Sequence, residues 1–235
     1  RYDHEVQGGT VVKPFIGPEH NGPSDAAVVT AGSPARDQGP TPGAALAVGV
    51  NPAYGTVDPY RMAWAAVDEA VRNVVAVGAD PSRISILDNF SWGNPRLPDR
   101  LGALVRCTEG CHDAAVAYGT PFISGKDSLN NEYTGSDGRT HTNPGTLVLS
   151  ALGVVPDIAL TGSSELKPPG NDLYIIGNTG SHLGGSALAE FTGWDGGASP
   201  APVPDAIETY LRLHRAIAAG LIASCHDVSE GGVAV

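Results

Sequence analysis

The sequence predicts an α/β fold, in which short apolar strands alternate with amphipathic helices. Two segments show helical periodicity with start and stop signals, and apolar runs of strand length stand around them, bounded by glycine and proline. Such an alternation is typical of a sheet covered by helices. The 41% hydrophobic content supports a buried core, and 31 glycines and 19 prolines supply turns. The main predicted strands are 24–29, 44–50, 84–87, 121–124, 146–155, 172–177 and 221–224.

Length, charge and cysteine content limit the classes of protein that fit. A chain of 235 residues is long enough for one large domain or two small ones. The net charge of −11 argues against nucleic-acid binding, and no apolar run approaches the ~18 residues that cross a membrane. Three cysteines are too few for a disulfide framework and indicate a reducing cytoplasm. The abrupt start at Arg1 and end at Val235 predict a fragment of a longer protein.

The first predicted helix begins at Asp58, which acts as the N-cap and is followed by proline. The helix covers residues 60–77, and Gly78 suits the position after its C-terminus. Within it, Glu69 and Asn73 are four residues apart and therefore project from the same side. Two interpretations stay open for this pair, a polar border of an exposed face or part of a binding site.

The second predicted helix covers residues 99–118 and follows a strand that ends at Asp88 and a loop over 89–95. The loop is rich in side-chain amides and aromatic rings. It is either a structural turn or a ligand-lining loop, since α/β folds tend to bind ligands beyond the carboxyl ends of strands. Cys107 and Cys111 lie four residues apart on the helix, and we interpret them as packing residues.

The strand predicted over 121–124 leads into the clearest sign of chemistry. We predict a turn at Gly125, which would present Lys126, Asp127 and Ser128 directly after the strand. Backbone amides that point outward at a tight turn, with a lysine nearby, suit a phosphate or a metal phosphate. The stretch is suggestive by itself and needs partners elsewhere in the chain.

The chain divides into two predicted domains. We expect a first domain over 1–160, a linker over 161–170 and a truncated second domain over 171–235. The second domain contains a short helix after a Gly-Gly-Ser turn and a clear helix over 205–219. Its last predicted strand delivers the polar stretch 225–232, in which four polar side chains precede two glycines.

Four carboxylates fall at the starts or ends of predicted strands, namely Asp25, Asp88, Asp127 and Asp227. Mg²⁺ is usually held by a few carboxylates, amide oxygens and waters, together with substrate phosphates. An acidic protein can therefore bind a nucleotide through bridging Mg²⁺ with few Lys or Arg side chains. Each carboxylate taken singly also has an ordinary structural explanation, so both interpretations stay open on the residues alone.

Several motifs occur in a fixed order along the chain, including Gly-Lys-Asp-Ser at 125–128 and His-Asp-Val-Ser-Glu-Gly-Gly at 226–232. Together they resemble the second half of the synthetase subunit of phosphoribosylformylglycinamidine synthase, in its small separate-subunit form. The resemblance covers nearly the whole chain. The other motifs lie at 2–8, 12–14, 22–27, 51–54, 58–60, 69–73, 78–81, 88–90 and 93–95.

The resemblance implies an aminoimidazole ribonucleotide synthetase-like domain, with a mixed sheet and helices packed on one side, followed by a partial second α/β domain. It implies a ligase that uses ATP and Mg²⁺ to convert formylglycinamide ribonucleotide to the amidine in purine biosynthesis. The expected partners are the first half of the same subunit, paired through the sheets, a glutaminase subunit and a small bridging subunit, in the cytoplasm. The catalytic histidines belong to the first half, so no catalytic residue is expected here, and the fragment alone is expected to be inactive.

The resemblance also assigns a nucleotide and substrate site. Asp88 and Gly125 fall at nucleotide-contacting positions, and Ser128 falls at a substrate-contacting position. Lys126 stands where small-form relatives often carry a metal-binding Asn, and its ammonium is expected to meet a nucleotide phosphate directly. This departure removes a metal ligand from that position.

A second, auxiliary site is implied by large-form relatives. Positions matching Asp25, Glu69, Asn73 and Asp227 bind Mg²⁺ there, and the position matching Ser229 binds nucleotide. The two histidines in the motifs, at positions 4 and 226, are expected to be structural. Two alternatives remain, a non-catalytic half that binds nucleotide only to hold the fold, and a related ATP-using enzyme such as aminoimidazole ribonucleotide synthetase or selenophosphate synthetase.

Overall fold

The computed structural model describes residues 8–30, 39–229 and 232–233. His4 lies outside these residues. A six-stranded sheet forms the centre of the described structure, with two long helices against it and two shorter helices later in the chain. The strands are β1 (Thr10–Val12), β2 (Phe15–Ile16), β3 (Gly22–Pro23), β4 (Ala27–Val29), β5 (Gly43–Val50), β6 (Ile84–Ser91), β7 (Phe122–Ser128), β8 (Glu132–Thr134), β9 (Thr140–Thr142) and β10 (Thr146–Val155). The helices are α1 (Pro52–Val57), α2 (Pro59–Ala76), α3 (Pro98–Tyr118), α4 (Ala187–Thr192) and α5 (Ala206–Ala218), with single 3₁₀ turns at Pro81–Arg83 and Ile158–Leu160.

The main sheet is mixed, as predicted. Its strand order is β1-β4-β5-β10-β6-β7. Strand β10 is central and pairs antiparallel with both β5 and β6, whereas β6 and β7 are parallel. The β6–β7 connection is made by α3, as expected of a parallel crossover.

Both long helices lie on one face of the sheet, which confirms the prediction. The side chains of β10 alternate between buried and half-buried, because successive residues of a strand point to opposite faces. On the opposite face of β5, Leu46 and Val48 are 46% and 47% exposed. The sheet therefore has one covered and one open face. The covered face contributes Ala45, Ala47, Ile84, Ile86, Leu147, Leu149 and Ala151 to the core, together with Met62, Val67, Val71 and Val74 of α2.

The helix bounds agree with the sequence signals. Asp58 caps α2 by accepting a hydrogen bond from the backbone N–H of Tyr60. Gly119 ends α3 in the left-handed conformation that glycine adopts most readily. Cys107 and Cys111 are buried in the α3 contact with the core, which confirms their role as packing residues.

Two predicted strand ends were wrong. Strand β6 continues past Asp88 to Ser91, and β7 continues past Gly125 to Ser128. The two strands pair in parallel over this length, so their backbone groups hydrogen-bond to each other instead of turning away. The segment after β7 contains the antiparallel pair of β8 and β9.

The second unit also differs from the prediction. Both of its helices are present, but residues 172–177 and 221–224 do not form strands. Leu173 and Tyr174 are 83% and 77% exposed. A strand needs a neighbour for its backbone groups, and the described part of the chain offers these segments none.

No helix among the described residues is long and apolar enough to cross a membrane.

Helix α2 packs in close backbone contact with the sheet at Gly49 of β5. A Cβ atom at this position would lie 2.0 Å from the carbonyl oxygen of Ala66 and 2.8 Å from the amide nitrogen of Ala70. Both contacts are with backbone, which cannot move aside as a flexible side chain can. The absence of a side chain at Gly49 therefore sets the distance between the helix and the sheet.

The contact at Gly49 gives a stability prediction. Gly49→Ala should lower the free energy of unfolding by about 3 kcal/mol, since overpacking forces the helix away from the sheet. Gly102→Ala is the matched control, because Gly102 lies within α3 and a Cβ there meets nothing within 4 Å. It should stabilise the chain by up to about 1 kcal/mol through helix propensity. Urea unfolding followed by circular dichroism measures both, and equal midpoints for the two variants would contradict the packing argument.

Candidate functional site

The predicted site residues form two separate groups. Asp25 lies two residues before β4, whereas Asp88 lies on β6. Strands β5 and β10 stand between β4 and β6 in the sheet. Neighbouring strands are about 4.8 Å apart, so three strand spacings separate the two groups. Asp25 and Asp88 therefore lie in different groups, because β5 and β10 stand between their strands in the sheet.

The first group surrounds the end of β5, which is paired with β10 but has no partner strand on the β4 side. Strand β4 begins opposite Leu46, while β5 runs on to Val50. The side chains of α2 satisfy the exposed backbone groups there. Asn73 Nδ2 donates to the Val48 carbonyl oxygen at 3.1 Å, and Glu69 Oε2 accepts from the Val50 backbone N–H at 2.8 Å. These two residues therefore face the sheet and do not border an exposed surface.

Asp25 meets the C-terminal stretch of the chain beside this strand end. Continuing the register of β4 against β5 by two residues sets Asp25 next to Val48, to which Asn73 is hydrogen-bonded. His226 Nδ1 lies 2.6 Å from Asp25 Oδ1. One ligand atom from each of Asp25, His226 and Asp227 lies within 4.8 Å of the others. The structure thus brings together both ends of the described chain.

Two buried oxygens in this group accept no hydrogen bond among the described residues. They are Asp25 Oδ2 and Asn73 Oδ1. The Asp25 side chain is only 3% exposed, and an unpartnered buried acceptor is costly. Carboxylate and amide oxygens are the ligands that Mg²⁺ prefers, so the residues present fit such an ion. Ser229 lies two residues after Asp227, on an exposed segment without regular secondary structure.

The electrostatics of the group agree with an unsatisfied anionic site. Burial raises the pKa of Asp25 to about 6, with Asp227 adding to the rise and His226 opposing it. Burial also raises the pKa of Glu69, against the backbone N–H of Val50, which lowers it. The carboxyl groups of Asp25, Glu69 and Asp227 are therefore held close together with limited access to water.

Arg72 supplies the permanent positive charge beside these acids. Its Nη2 atom lies 3.2 Å from Asp227 Oδ2, and its Nη1 atom donates to Asp68. Asp68 also accepts from the hydroxyls of Tyr118 at 2.7 Å and Tyr210 at 2.5 Å. This network joins α2, α3, α5 and the C-terminal stretch. Sequence reasoning missed it, although Asp68 and Arg72 lie one position before Glu69 and Asn73 at the same spacing.

The second group lies where β6 and β7 pair. Asp88 is the register partner of Gly125, and a Cβ on Gly125 would lie 2.4 Å from Asp88 Oδ1. Gly125 is thus needed for space above an extended strand and not for a turn. Burial raises the pKa of Asp88, while backbone hydrogen bonds, including one from Lys126, lower it.

Lys126 and Ser128 follow this pair towards the end of β7, on the opposite face of the sheet, since successive residues of a strand alternate between faces. They are two residues apart on one strand and so project from the same face. Lys126 Nζ donates to Ser128 Oγ at 2.6 Å. Among the described residues, Lys126 makes no salt bridge. A cation and a hydroxyl are therefore free to meet an anionic group.

The chain matches two family descriptions. Residues 23–155 match "AIR synthase related protein, N-terminal domain", and residues 168–235 match "AIR synthase related protein, C-terminal domain". Over its whole length the chain is 37% identical to phosphoribosylformylglycinamidine synthase subunit PurL of Gloeobacter violaceus and 36% identical to that of Deinococcus radiodurans. It spans 30% of the length of each of these relatives.

Solved structures of Thermotoga maritima proteins share the fold. The structure titled PurLQS superposes with a TM-score of 0.53 and 28% identity, over 71% of this chain and 24% of that one. PurL complexed with ADP gives a TM-score of 0.51 with the same identity and coverage. These matches confirm the resemblance seen in the sequence motifs. With the two family matches covering the mixed-sheet unit and the stretch that follows it, the chain belongs to the AIR synthase related proteins.

Proposed function

We propose that the chain supplies part of the Mg–nucleotide and phosphate-binding surface of an ATP-dependent C–N ligase. The reaction is the conversion of formylglycinamide ribonucleotide to formylglycinamidine ribonucleotide in purine biosynthesis. One observation carries the proposal. Relatives named phosphoribosylformylglycinamidine synthase match the entire chain, and the side chains assigned by that resemblance lie in two groups of suitable chemistry.

We assign Mg²⁺ to the group at the end of β5. Asp25, Asp227, Glu69 and Asn73 would hold it, since two of their oxygens are buried without a partner and all four are hard ligands. A bound Mg²⁺ would neutralise nucleotide phosphates. Ser229 would then contact the nucleotide, as its place two residues after Asp227 allows.

We assign nucleotide and substrate to the β6–β7 group. A neighbouring solved structure is titled as a complex with ADP, which supports nucleotide binding on this fold. Asp88 and Gly125 would contact the nucleotide, and Lys126 would meet a phosphate without an intervening metal. Ser128, which accepts the Lys126 hydrogen bond, would contact the ribonucleotide substrate.

The open face of the sheet is assigned to the first half of the same subunit. The exposed Leu46 and Val48 make this face apolar, and a second sheet packed on it would bury them. The residues 161–170 would link the two units, and the complete enzyme would work in the cytoplasm with a glutaminase subunit and a small bridging subunit. A structure titled PurLQS supports such an assembly for the Thermotoga maritima relative.

A non-catalytic role is the second candidate. His226 contacts one carboxylate oxygen of Asp25, and Arg72 forms a salt bridge with one carboxylate oxygen of Asp227. Both acids therefore already have a partner. A chain in which these contacts serve only to hold the C-terminal stretch would bind nucleotide without responding to the ribonucleotide substrate. Titrating that substrate into the chain saturated with Mg-ADP distinguishes the two candidates, since only the ligase half should release or absorb heat.

The magnesium assignment is tested by calorimetry of Mg-ADP binding. Glu69→Gln and Asp25→Asn keep the side-chain shape but remove a negative charge. Each should weaken binding about tenfold, equivalent to about 1.4 kcal/mol. Glu109→Gln is the control, because Glu109 is exposed on α3 and pairs only with Arg106 there. Unchanged affinity in both site variants would remove the basis for this metal site.

The isolated chain should make no product. Incubated with ATP, Mg²⁺, formylglycinamide ribonucleotide and ammonium, it should yield no amidine above the buffer control, because no catalytic residue is assigned to it. Chromatography of the reaction mixture measures this directly. Amidine formed in proportion to added chain would show that catalysis does not need the first half.

Asp25 should make stability depend on pH in the absence of metal. Its pKa is raised to about 6 from an ordinary value of 3.8, so the folded state holds this proton more tightly than the unfolded chain does. The resulting stabilisation is complete below pH 3.8 and is lost as the pH rises through about 6. In chelating buffer, the melting temperature of the unmodified chain should therefore decrease as the pH rises, relative to that of Asp25→Asn. Parallel curves of melting temperature against pH for the two proteins would contradict the assignment. Added Mg²⁺ at neutral pH should restore the lost stability of the unmodified chain.

A further inference from the structure

Two hydroxyls and an ammonium share one face at the carboxyl ends of β6 and β7. Ser91 and Ser128 are register partners on adjacent parallel strands, which lie about 4.8 Å apart. Register partners project to the same face, and Lys126 joins them because it precedes Ser128 by two residues. Sequence reasoning did not single out Ser91, since nothing in the chain order places it beside Ser128.

The orientation of the Asn131 amide is fixed by its partners. Its Nδ2 atom lies 3.1 Å from the Ser128 carbonyl oxygen and 2.8 Å from Ser91 Oγ. A carbonyl oxygen only accepts hydrogen bonds, so the NH₂ end of the amide must face it. The second hydrogen of that NH₂ group then points to Ser91 Oγ.

Asn143 makes a similar pair of contacts with Ser91. Its Nδ2 atom lies 3.2 Å from the Ser91 carbonyl oxygen and 2.8 Å from Ser91 Oγ. The same reasoning fixes this amide with its NH₂ group towards Ser91. The Ser91 hydroxyl oxygen therefore accepts two hydrogen bonds, which occupies both of its lone pairs.

The hydroxyl hydrogen of Ser91 must consequently be donated elsewhere. Within residues 8–30, 39–229 and 232–233, no acceptor for it is present. Ser128 is in a similar state, because its Oγ accepts from Lys126 at 2.6 Å and its hydrogen has no acceptor in the same ranges. Two hydroxyl donors and one ammonium are thus prepared to meet an acceptor that carries negative charge.

We propose that Ser91 is a ligand-binding residue, which together with Ser128 and Lys126 holds the phosphate of a phosphomonoester. Asn131 and Asn143 act as positioning residues that turn the Ser91 hydroxyl hydrogen outward. A phosphate monoester presents several terminal oxygens with up to two negative charges, which suits three donors of which one is charged. The proposal rests on the proposed function, which places phosphorylated ligands at this end of β6 and β7.

Ribose 5-phosphate is the probe, titrated into the 235-residue chain by calorimetry. Ser91→Ala should raise the Kd about tenfold, since a hydrogen bond to a charged group is lost. Ser91→Thr keeps the hydroxyl and should stay within about threefold of the unmodified chain. Ser85→Ala is the matched control, because Ser85 lies on the same face of β6 but pairs with Leu152 far from Lys126. Equal affinities for Ser91→Ala and Ser85→Ala would overturn the proposal.

A double-mutant cycle tests the positioning role. Asn143→Ala alone should raise the Kd several-fold, but in the Ser91→Ala background it should change the Kd less than about twofold, because its effect passes through the Ser91 hydroxyl. Additive effects of the two substitutions would show that Asn143 does not act through Ser91. Circular dichroism of each variant confirms that the chain is folded before titration.

Two further variants separate this inference from the function on which it rests. If Lys126→Ala and Ser128→Ala lose binding while Ser91→Ala does not, the phosphate site stands and the role of Ser91 fails. If neither variant alters binding, or if the unmodified chain does not bind ribose 5-phosphate, both the site and the role of Ser91 fail. Loss of binding in all three variants, with Ser85→Ala unchanged, supports the proposal.

Discussion

The close contact between helix α2 and strand β5 at Gly49 is the constraint on which the candidate metal site depends. The helix backbone approaches so near that a Cβ at Gly49 would overlap the carbonyl oxygen of Ala66. At this distance the short side chain of Asn73 and the longer one of Glu69 reach the backbone groups of β5 that β4 leaves without a partner. A helix held one side-chain layer further away would leave the backbone groups of Val48 and Val50 without these partners. The side-chain oxygens of Glu69 and Asn73 would then not lie near Asp25.

A partly buried ionic network then connects helices α2, α3 and α5 with the C-terminal stretch. Arg72 lies between Asp68, which also accepts from Tyr118 and Tyr210, and Asp227 of the C-terminal stretch. Removing Arg72 would leave the buried Asp227 carboxylate without its cation, and an uncompensated buried charge is costly. Asp68 thus holds α5 against α2, and Arg72 sets the position of Asp227, an assigned metal ligand.

The two site groups lie at the same end of one sheet but are assembled differently, since Val50 of β5 and Asn89 of β6 both pair with Val148 of β10. The acids at the end of β5 are gathered from segments remote in sequence, and His226 and Asp25 are 201 positions apart. The β6–β7 group is instead built from two adjacent strands, where Gly125 leaves room for Asp88 and the hydroxyls of Ser91 and Ser128 stand side by side. The open face of the sheet carries apolar side chains on β5. A second sheet packed on that face would also close the space above Lys126.

The sequence by itself determined the local features of this protein. Caps, prolines and 3.6-residue periodicity are local signals, and they placed both long helices within one residue of their observed ends. The family followed from ordered motifs. Strand ends at Asp88 and Gly125 were wrong because the pairing of β6 with β7, not the glycine, decides how far each strand extends. Only the tertiary structure decided which carboxylates meet, that Arg72 joins them, and that Ser91 lies beside Ser128, since strand order and register are long-range properties that no short window of sequence contains.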